Sequence, residues 1–206
     1  MQSFTTLTGV AAPLLRPNID TGTIIASRFM RSRSIDLGEK LFSDWRYAAD
    51  GSENADFVLN QEPYRHAKIL LGGINFGCGS SREAAVYALM KFGISCVIAP
   101  SFGEIFFDNA CQNGLLPIEL PEDVVVSLAD AIKRANSAEL TVDLLTRRIT
   151  TPQGDTVGFT IAEDRRTSLL EGLDETALVL RHSDEIDAFR DADRRTRPWL
   201  YERSAL

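Results

Sequence analysis

The chain has 206 residues, 44% of them hydrophobic and 25% charged, with 22 Lys and Arg against 29 Asp and Glu for a formal net charge of −7. The acidic balance argues against general affinity for nucleic acid or anionic membranes, and no apolar run approaches the roughly 20 residues that cross a bilayer. Met1-Gln2-Ser3-Phe4 has no basic patch followed by an apolar stretch, which predicts no secretion and a cytoplasmic protein.

Leu7 to Pro13 reads as a strand or turn, and Asn18-Ile19-Asp20-Thr21-Gly22 as a structured loop, dense in side chains that bond their own backbone. Thr23-Ile24-Ile25 is short and β-branched. Between Arg28 and Arg33, arginines alternate with Phe29, Met30 and Ser32, as in an exposed strand, a mobile loop or a ligand-recognition loop. Asp50 to Asn54 is a polar turn and Gln61 to Lys68 a further connection. Lys68 to Gly73 is a buried strand, and Ser81 to Phe92 has helical spacing of apolar residues with Gly93 as its stop. A second buried strand (Ser95 to Ala99), a helix from Phe102 to Gln112 ended by Gly114, a third strand (Leu115 to Leu120) and a helix from Pro121 to about Ala135 follow. This order implies parallel pairing with right-handed crossovers. Leu140 to Leu145, Arg148 to Thr151 and Thr156 to Ile161 predict an antiparallel hairpin. A helix from about Glu163 stops at Gly172, and a charged helix begins at Ser183. The chain is read as one α/β domain over residues 1–206, with about 184–206 a charged helix and tail.

The most informative segment is Asn75-Phe76-Gly77-Cys78-Gly79-Ser80-Ser81-Arg82-Glu83. It lies between a buried strand and a helix, so it belongs at the carboxyl edge of the sheet, where ligands bind in open α/β folds. Gly77 and Gly79 allow close backbone approach. Ser80 and Glu83 have capping-box spacing, which predicts a helix start at Ser80 with free amides in its first turn, an anion site that Arg82 reinforces. The structural alternative is a capped helix with Arg82 in a surface ion pair. A dinucleotide fingerprint wants glycine where Arg82 stands, and a P-loop wants Gly-Lys-Ser/Thr; neither is present. Ser101 and Glu104 repeat the spacing without flanking glycines, and are read as structural.

Cys78, Cys96 and Cys111 are too few and too scattered for a disulfide framework or a Cys-x-x-Cys clamp. His66 and His182 lie more than half the chain apart, so no complete zinc or iron–sulfur site is expected from this chain alone. Cys78 could still be a reactive thiol at a helix N-terminus, or a small residue filling the turn. His66 is read as a surface residue. Trp45 and Arg46 are read as packing or bridging to another subunit, and Arg165 and Arg166 as structural or at an interface.

Phe76 to Glu83, Ala99-Pro100-Ser101-Phe102, Ile105-Phe106, Asn113-Gly114-Leu115-Leu116-Pro117, Asn18-Ile19-Asp20-Thr21 with Ile24-Ile25, Leu41 to Arg46, and Gly172-Leu173-Asp174 together resemble the swivelling β/β/α domain of the aconitase superfamily. Within it they resemble the small subunits of 3-isopropylmalate dehydratase. The matches run in family order over almost the whole chain. The resemblance implies a hydro-lyase subunit that is active only with a separate large subunit. A [4Fe-4S] cluster bound there, not by this chain, acts as Lewis acid on a small hydroxy-dicarboxylate. It implies Ser80 as the base that removes a carbon-bound proton, its alkoxide stabilised by helix amides and a nearby cation. Gly79, Ser81, Arg82, Arg31, Asp20 and Thr21 are implied to bind substrate.

The sequence departs from the family pattern at two places: Gly22 stands where an acidic residue is usual, and Ala84 where histidine is usual. Arg31 lies where relatives read the distal group of the substrate. These departures leave open a related hydro-lyase acting on methylmalate and citraconate, dimethylmaleate or homoaconitate, and a non-catalytic carboxylate-binding descendant.

Overall fold

The structure is a computed structural model that describes residues 1–30, 35–80, 82–135 and 137–201. Its strands are β1 (Thr6–Leu14), β2 (Ile69–Gly72), β3 (Cys96–Ala99), β4 (Leu116–Glu119), β5 (Glu139–Asp143), β6 (Arg148–Thr150) and β7 (Thr156–Gly158). They form one sheet in the order β4-β3-β2-β1-β5-β6-β7. β2, β3 and β4 run parallel, as the strand–helix alternation predicts. β5, β6 and β7 form an antiparallel meander. β1 joins the two halves. Its first part, Thr6 to Val10, pairs antiparallel with β5, and Ala11 to Leu14 pairs parallel with β2.

The helices are α1 (Thr21–Ile24), α2 (Ser43–Arg46), α3 (Glu83–Phe92), α4 (Glu104–Asn113), α5 (Glu122–Arg134), α6 (Glu163–Glu171), α7 (Glu175–Leu180) and α8 (Ser183–Thr196). Side chains on β2 and β3 alternate between the two sheet faces, as strand geometry requires. Leu70, Val97 and Ala99 pack with Ala85, Val86 and Leu89 of α3 and Phe106 of α4. Ile69, Leu71, Cys96 and Ile98 pack on the other face with Val125, Leu128, Ala129 and Ile132 of α5. That i, i+3, i+4, i+7 set is the buried stripe of an amphipathic helix. With both faces covered, β2 and β3 have no exposed residue, which is why they read as continuous apolar runs.

Two expectations change. The Asn18–Gly22 loop and the β-branched residues after it turn into a helix at Thr21, because the Asp20 side chain accepts from Thr23 N at 2.6 Å and caps it. α7 was not foreseen; Asp174 caps it in the same way, accepting from Ala177 N at 2.8 Å. α8 carries little buried surface: of its residues only Asp193 is buried. No helix among the described residues is long and apolar enough to cross a membrane.

Candidate active site

Three loops leave the carboxyl ends of β1, β2 and β3 and lace together beyond the sheet. The β2 loop is central. Gly77 N donates to Ile19 O at 2.7 Å and Thr21 N to Cys78 O at 2.9 Å, which ties it to the β1 loop. On its other side Phe76 N donates to Ser101 O at 2.9 Å, and Gly103 N to Phe76 O at 2.9 Å. Asn75 adds two side-chain links: its N–H donates to Ser101 Oγ at 2.9 Å and its Nδ2 to Asn18 Oδ1 at 2.8 Å. The backbone of Asn75 to Ser80 is thus held from both sides by groups that the strand ends bring near.

Gly77 shows why the loop needs its glycines. Its φ is +72°, and a Cβ there would sit 2.2 Å from Phe106 Cγ. The ring of Phe106 in turn packs edge-on to Phe76 at 5.5 Å and stacks on Phe102 at 6.1 Å between centroids. Side chains of the β2 loop, the β3 loop and α4 therefore form a rigid aromatic floor under the site.

The capping box does not form. α3 begins at Glu83 with Arg82 as its N-cap, and no side chain caps it. Gly79, at φ +88°, carries the chain away from helical geometry, and Thr21 Oγ1 pins the Ser80 carbonyl at 2.7 Å, so Ser80 belongs to the loop ladder. Glu83 cannot reach back, because its Oε1 accepts from Tyr87 OH at 2.9 Å and from Asn113 Nδ2 at 3.0 Å, fastening α3 to α4. The Ser101–Glu104 box fails as well: α4 starts from Gly103, and Ser101 Oγ serves Asn75 instead. Ser101 is the positioning residue that sequence reasoning passed over. Its place directly after a buried parallel strand was the available signal.

Ser80 and Gly79 are exposed on the loop. Arg82 is half-buried, and its Nη1 donates to Ile25 O at 3.3 Å. It makes no ion pair among the described residues, so the surface pair of the structural alternative is not seen there. Asp20 and Thr21 lie directly beside the loop, Asp20 as the α1 cap and Thr21 as the clamp on Ser80. The first-turn amides of α3, those of Glu83 and Ala84, have no intrahelical acceptor. Structure thus brings Asp20, Thr21, Gly79, Ser80 and Arg82 together. Ser81 and Arg31 lie outside the described residues.

The other candidates have surroundings of their own. Burial, with the Asp20 carboxylate adding to it, pushes the Cys78 thiol up, which opposes the thiolate that a reactive cysteine needs. His66 is exposed beside Glu62. Arg46 is buried, donating from Nε to Asn60 Oδ1 at 3.0 Å with its Nη1 unpartnered, and burial lowers its pKa. Trp45 stacks on Phe42 with centroids 5.7 Å apart. Arg165 pairs with Asp108 at 2.7 Å, and Arg166 donates to Leu144 O at 3.2 Å.

Comparison with known proteins identifies this arrangement. A family model described as Aconitase C-terminal domain matches residues 1–123, the span that holds all three loops. The chain belongs to the aconitase C-terminal domain family. A second model, described as LeuD_N, matches residues 127–163. Among curated relatives of this family, the 3-isopropylmalate dehydratase small subunit of Paramagnetospirillum magneticum is 50% identical over 201 residues, covering 97% of this chain and 100% of that one. The subunit of the same name from Cupriavidus necator is 51% identical over 205 residues, covering 98% and 99%. The crystal structure of a 3-isopropylmalate dehydratase from Methanocaldococcus jannaschii shares the fold, with TM-score 0.62 and 24% identity over 90% of this chain and 99% of that chain. The expected fold class and family are both confirmed.

Aconitase-family hydro-lyases imply a [4Fe-4S] cluster. The cysteines of this chain do not fit one. Cys78, Cys96 and Cys111 lie on a loop, on β3 and on α4, and no group of three or more His, Cys, Asp or Glu among the described residues could hold a metal. Burial also pushes all three thiols up, whereas cluster ligands are thiolates.

Proposed function

We propose that this chain is the small subunit of a 3-isopropylmalate dehydratase, a cytoplasmic hydro-lyase whose [4Fe-4S] cluster is carried by a large partner subunit. Its contribution is the laced loop, which brings Ser80 and Arg82 to a shared substrate. Ser80 is the base that takes a carbon-bound proton, and Arg82, Ser81 and the free amides at the start of α3 hold a carboxylate. Asp20 and Thr21 fix the loop from the side, Gly79 lets its backbone approach the ligand, and Arg31 is assigned the recognition of the distal group of the substrate. The observation that carries this reading is the pairing of an exposed serine with an arginine that has no carboxylate partner among the described residues, on a loop held from both flanks. The full-length identity of about one residue in two with subunits of that name supports it.

A site this exposed lacks the dry surroundings that make a weak base effective. Closure by a partner supplies them, so the isolated chain is expected to be inactive. Reconstitution with a cluster-bearing large subunit tests the reading, with isopropylmalate, methylmalate, dimethylmaleate and homoaconitate as substrates. Turnover of isopropylmalate supports it. Turnover of another of these acids alone moves the assignment to the related hydro-lyase. Ser80→Ala is expected to lower kcat by about 10²–10⁴-fold with an unchanged melting temperature. Unchanged turnover in that variant removes Ser80 as the base.

A further inference from the structure

Ser80 and Arg82, the two groups assigned to the substrate, are both tied to the same single turn of helix. Thr21, the first residue of α1, donates from Oγ1 to Ser80 O at 2.7 Å, and Ile25, which closes α1, accepts from Arg82 Nη1 at 3.3 Å. Ile25 N in turn donates to Thr21 O at 3.0 Å, so one hydrogen bond of the helix joins the two anchor residues. A helix this short does not hold itself, because its first turn fixes several residues for a single bond. It relies on Asp20, whose Oδ1 accepts from Thr23 N at 2.6 Å and whose carbonyl accepts from Ile24 N at 3.0 Å. Packing helps as well: Thr21 and Ile24 are buried, and Ile24 O accepts from Phe42 N at 2.9 Å.

We propose that Asp20 is a positioning residue: it sets the spacing of Ser80 and Arg82 by capping α1, and makes no bond to substrate. This rests on the reading of Ser80 as base and Arg82 as carboxylate ligand, and deepens it. A carboxylate is a poor ligand for a hydroxy-dicarboxylate, because like charges repel. Its Oδ1, by contrast, is already committed to Thr23 N. The site therefore needs a side-chain oxygen from residue 20, not a negative charge. Asparagine supplies that oxygen and caps a helix as well as aspartate does, whereas alanine supplies none. Without the cap, Thr21 and Ile25 are no longer held one turn apart, and serine and guanidinium shift against each other. A misplacement of about 1 Å in reacting groups is enough to cost about 100-fold in rate.

The test uses the reconstituted two-subunit enzyme with isopropylmalate, or with whichever of the four acids it turns over. Asp20→Asn is expected to keep kcat/KM within about threefold of wild type. Asp20→Ala is expected to lower it about 10- to 100-fold, through both KM and kcat, with a melting temperature only about 2–4 °C lower. Asp174→Ala removes the matching cap of α7 and is expected to leave kcat/KM within about twofold. Equal losses in Asp20→Asn and Asp20→Ala would mean that the charge acts, and overturn the proposal. So would an unaffected Asp20→Ala, or a comparable loss in Asp174→Ala. Ser80→Ala and Arg82→Ala test the reading beneath it: if either keeps wild-type kcat/KM, that reading fails. If both lose activity while Asp20→Ala does not, only the role of Asp20 fails. Should Asp20→Ala not fold, Asp20→Glu takes its place, since it keeps the charge and, one methylene longer, moves the oxygen away from Thr23 N. Activity kept by the asparagine variant and lost by the glutamate variant supports the proposal, and any other order overturns it.

Discussion

Gly77 concentrates several constraints in one residue: a left-handed backbone, a donor to Ile19 O, and a Phe106 ring where a side chain would start. Gly77→Ala is expected to cost about 2–4 kcal/mol, combining overpacking of the aromatic floor with the left-handed penalty. Urea unfolding followed by circular dichroism measures this. A loss below about 0.5 kcal/mol would show that the floor yields easily, contrary to the edge-on packing of Phe76 and Phe106. At this scale the sequence announced which residue types assemble, because Gly-x-Gly-Ser before an arginine has few uses. It did not announce which atoms would be engaged. The Ser-x-x-Glu spacing pointed to a cap at Ser80, yet Glu83 had better partners in Tyr87 and Asn113, the latter brought near by α4 packing beside α3. Local spacing is blind to a competitor from elsewhere in the chain.

Among the elements, the parallel strands and the helices that follow them were legible. Buried on both faces, they are written as short apolar runs, and Gly93 and Gly114 end α3 and α4 in left-handed geometry as expected. Less legible was the extension of the ladder into the loops, since those bonds join chain segments whose proximity only the folded sheet creates. Ser101 is the clearest instance. It accepts from Asn75 N at the point where the β2 loop departs, while doing nothing for the helix it precedes. Ser101→Ala is expected to cost only about 1 kcal/mol of stability. It should cost far more in the reconstituted enzyme, where a displaced loop lowers kcat about 10- to 100-fold. Comparing the urea midpoint with kcat in the same variant distinguishes a loop-positioning residue from a merely stabilising one, for which both would fall together.

At the scale of the molecule, the body and the C-terminal arm differ in what holds them. The body has two apolar layers against the sheet, whereas α8 is secured to the turn after it chiefly through Asp193. The Tyr201 hydroxyl, donating at 2.7 Å, and after it Arg197, donating from Nε at 2.5 Å, hold the Asp193 carboxyl below the usual carboxylate range. A depressed folded value means that this contact stabilises the arm above the unfolded carboxylate value, near pH 4, and is lost as the pH falls through the folded value. The indole resonance of Trp199 is therefore expected to move toward its random-coil position below about pH 4, ahead of that of Trp45 in the body. Simultaneous movement would mean that the arm and the body melt as one. The pairing of β1 has a further bearing, on biosynthesis. Thr6 lies opposite Asp143 and Ala11 opposite Ile69. The strand that unites the sheet thus emerges from the ribosome before either neighbour exists, and one of its edges stays open until the meander has been translated. A nascent chain stalled short of Glu139 carries the complete loop ladder on an unsealed sheet, a species for chaperones to guard.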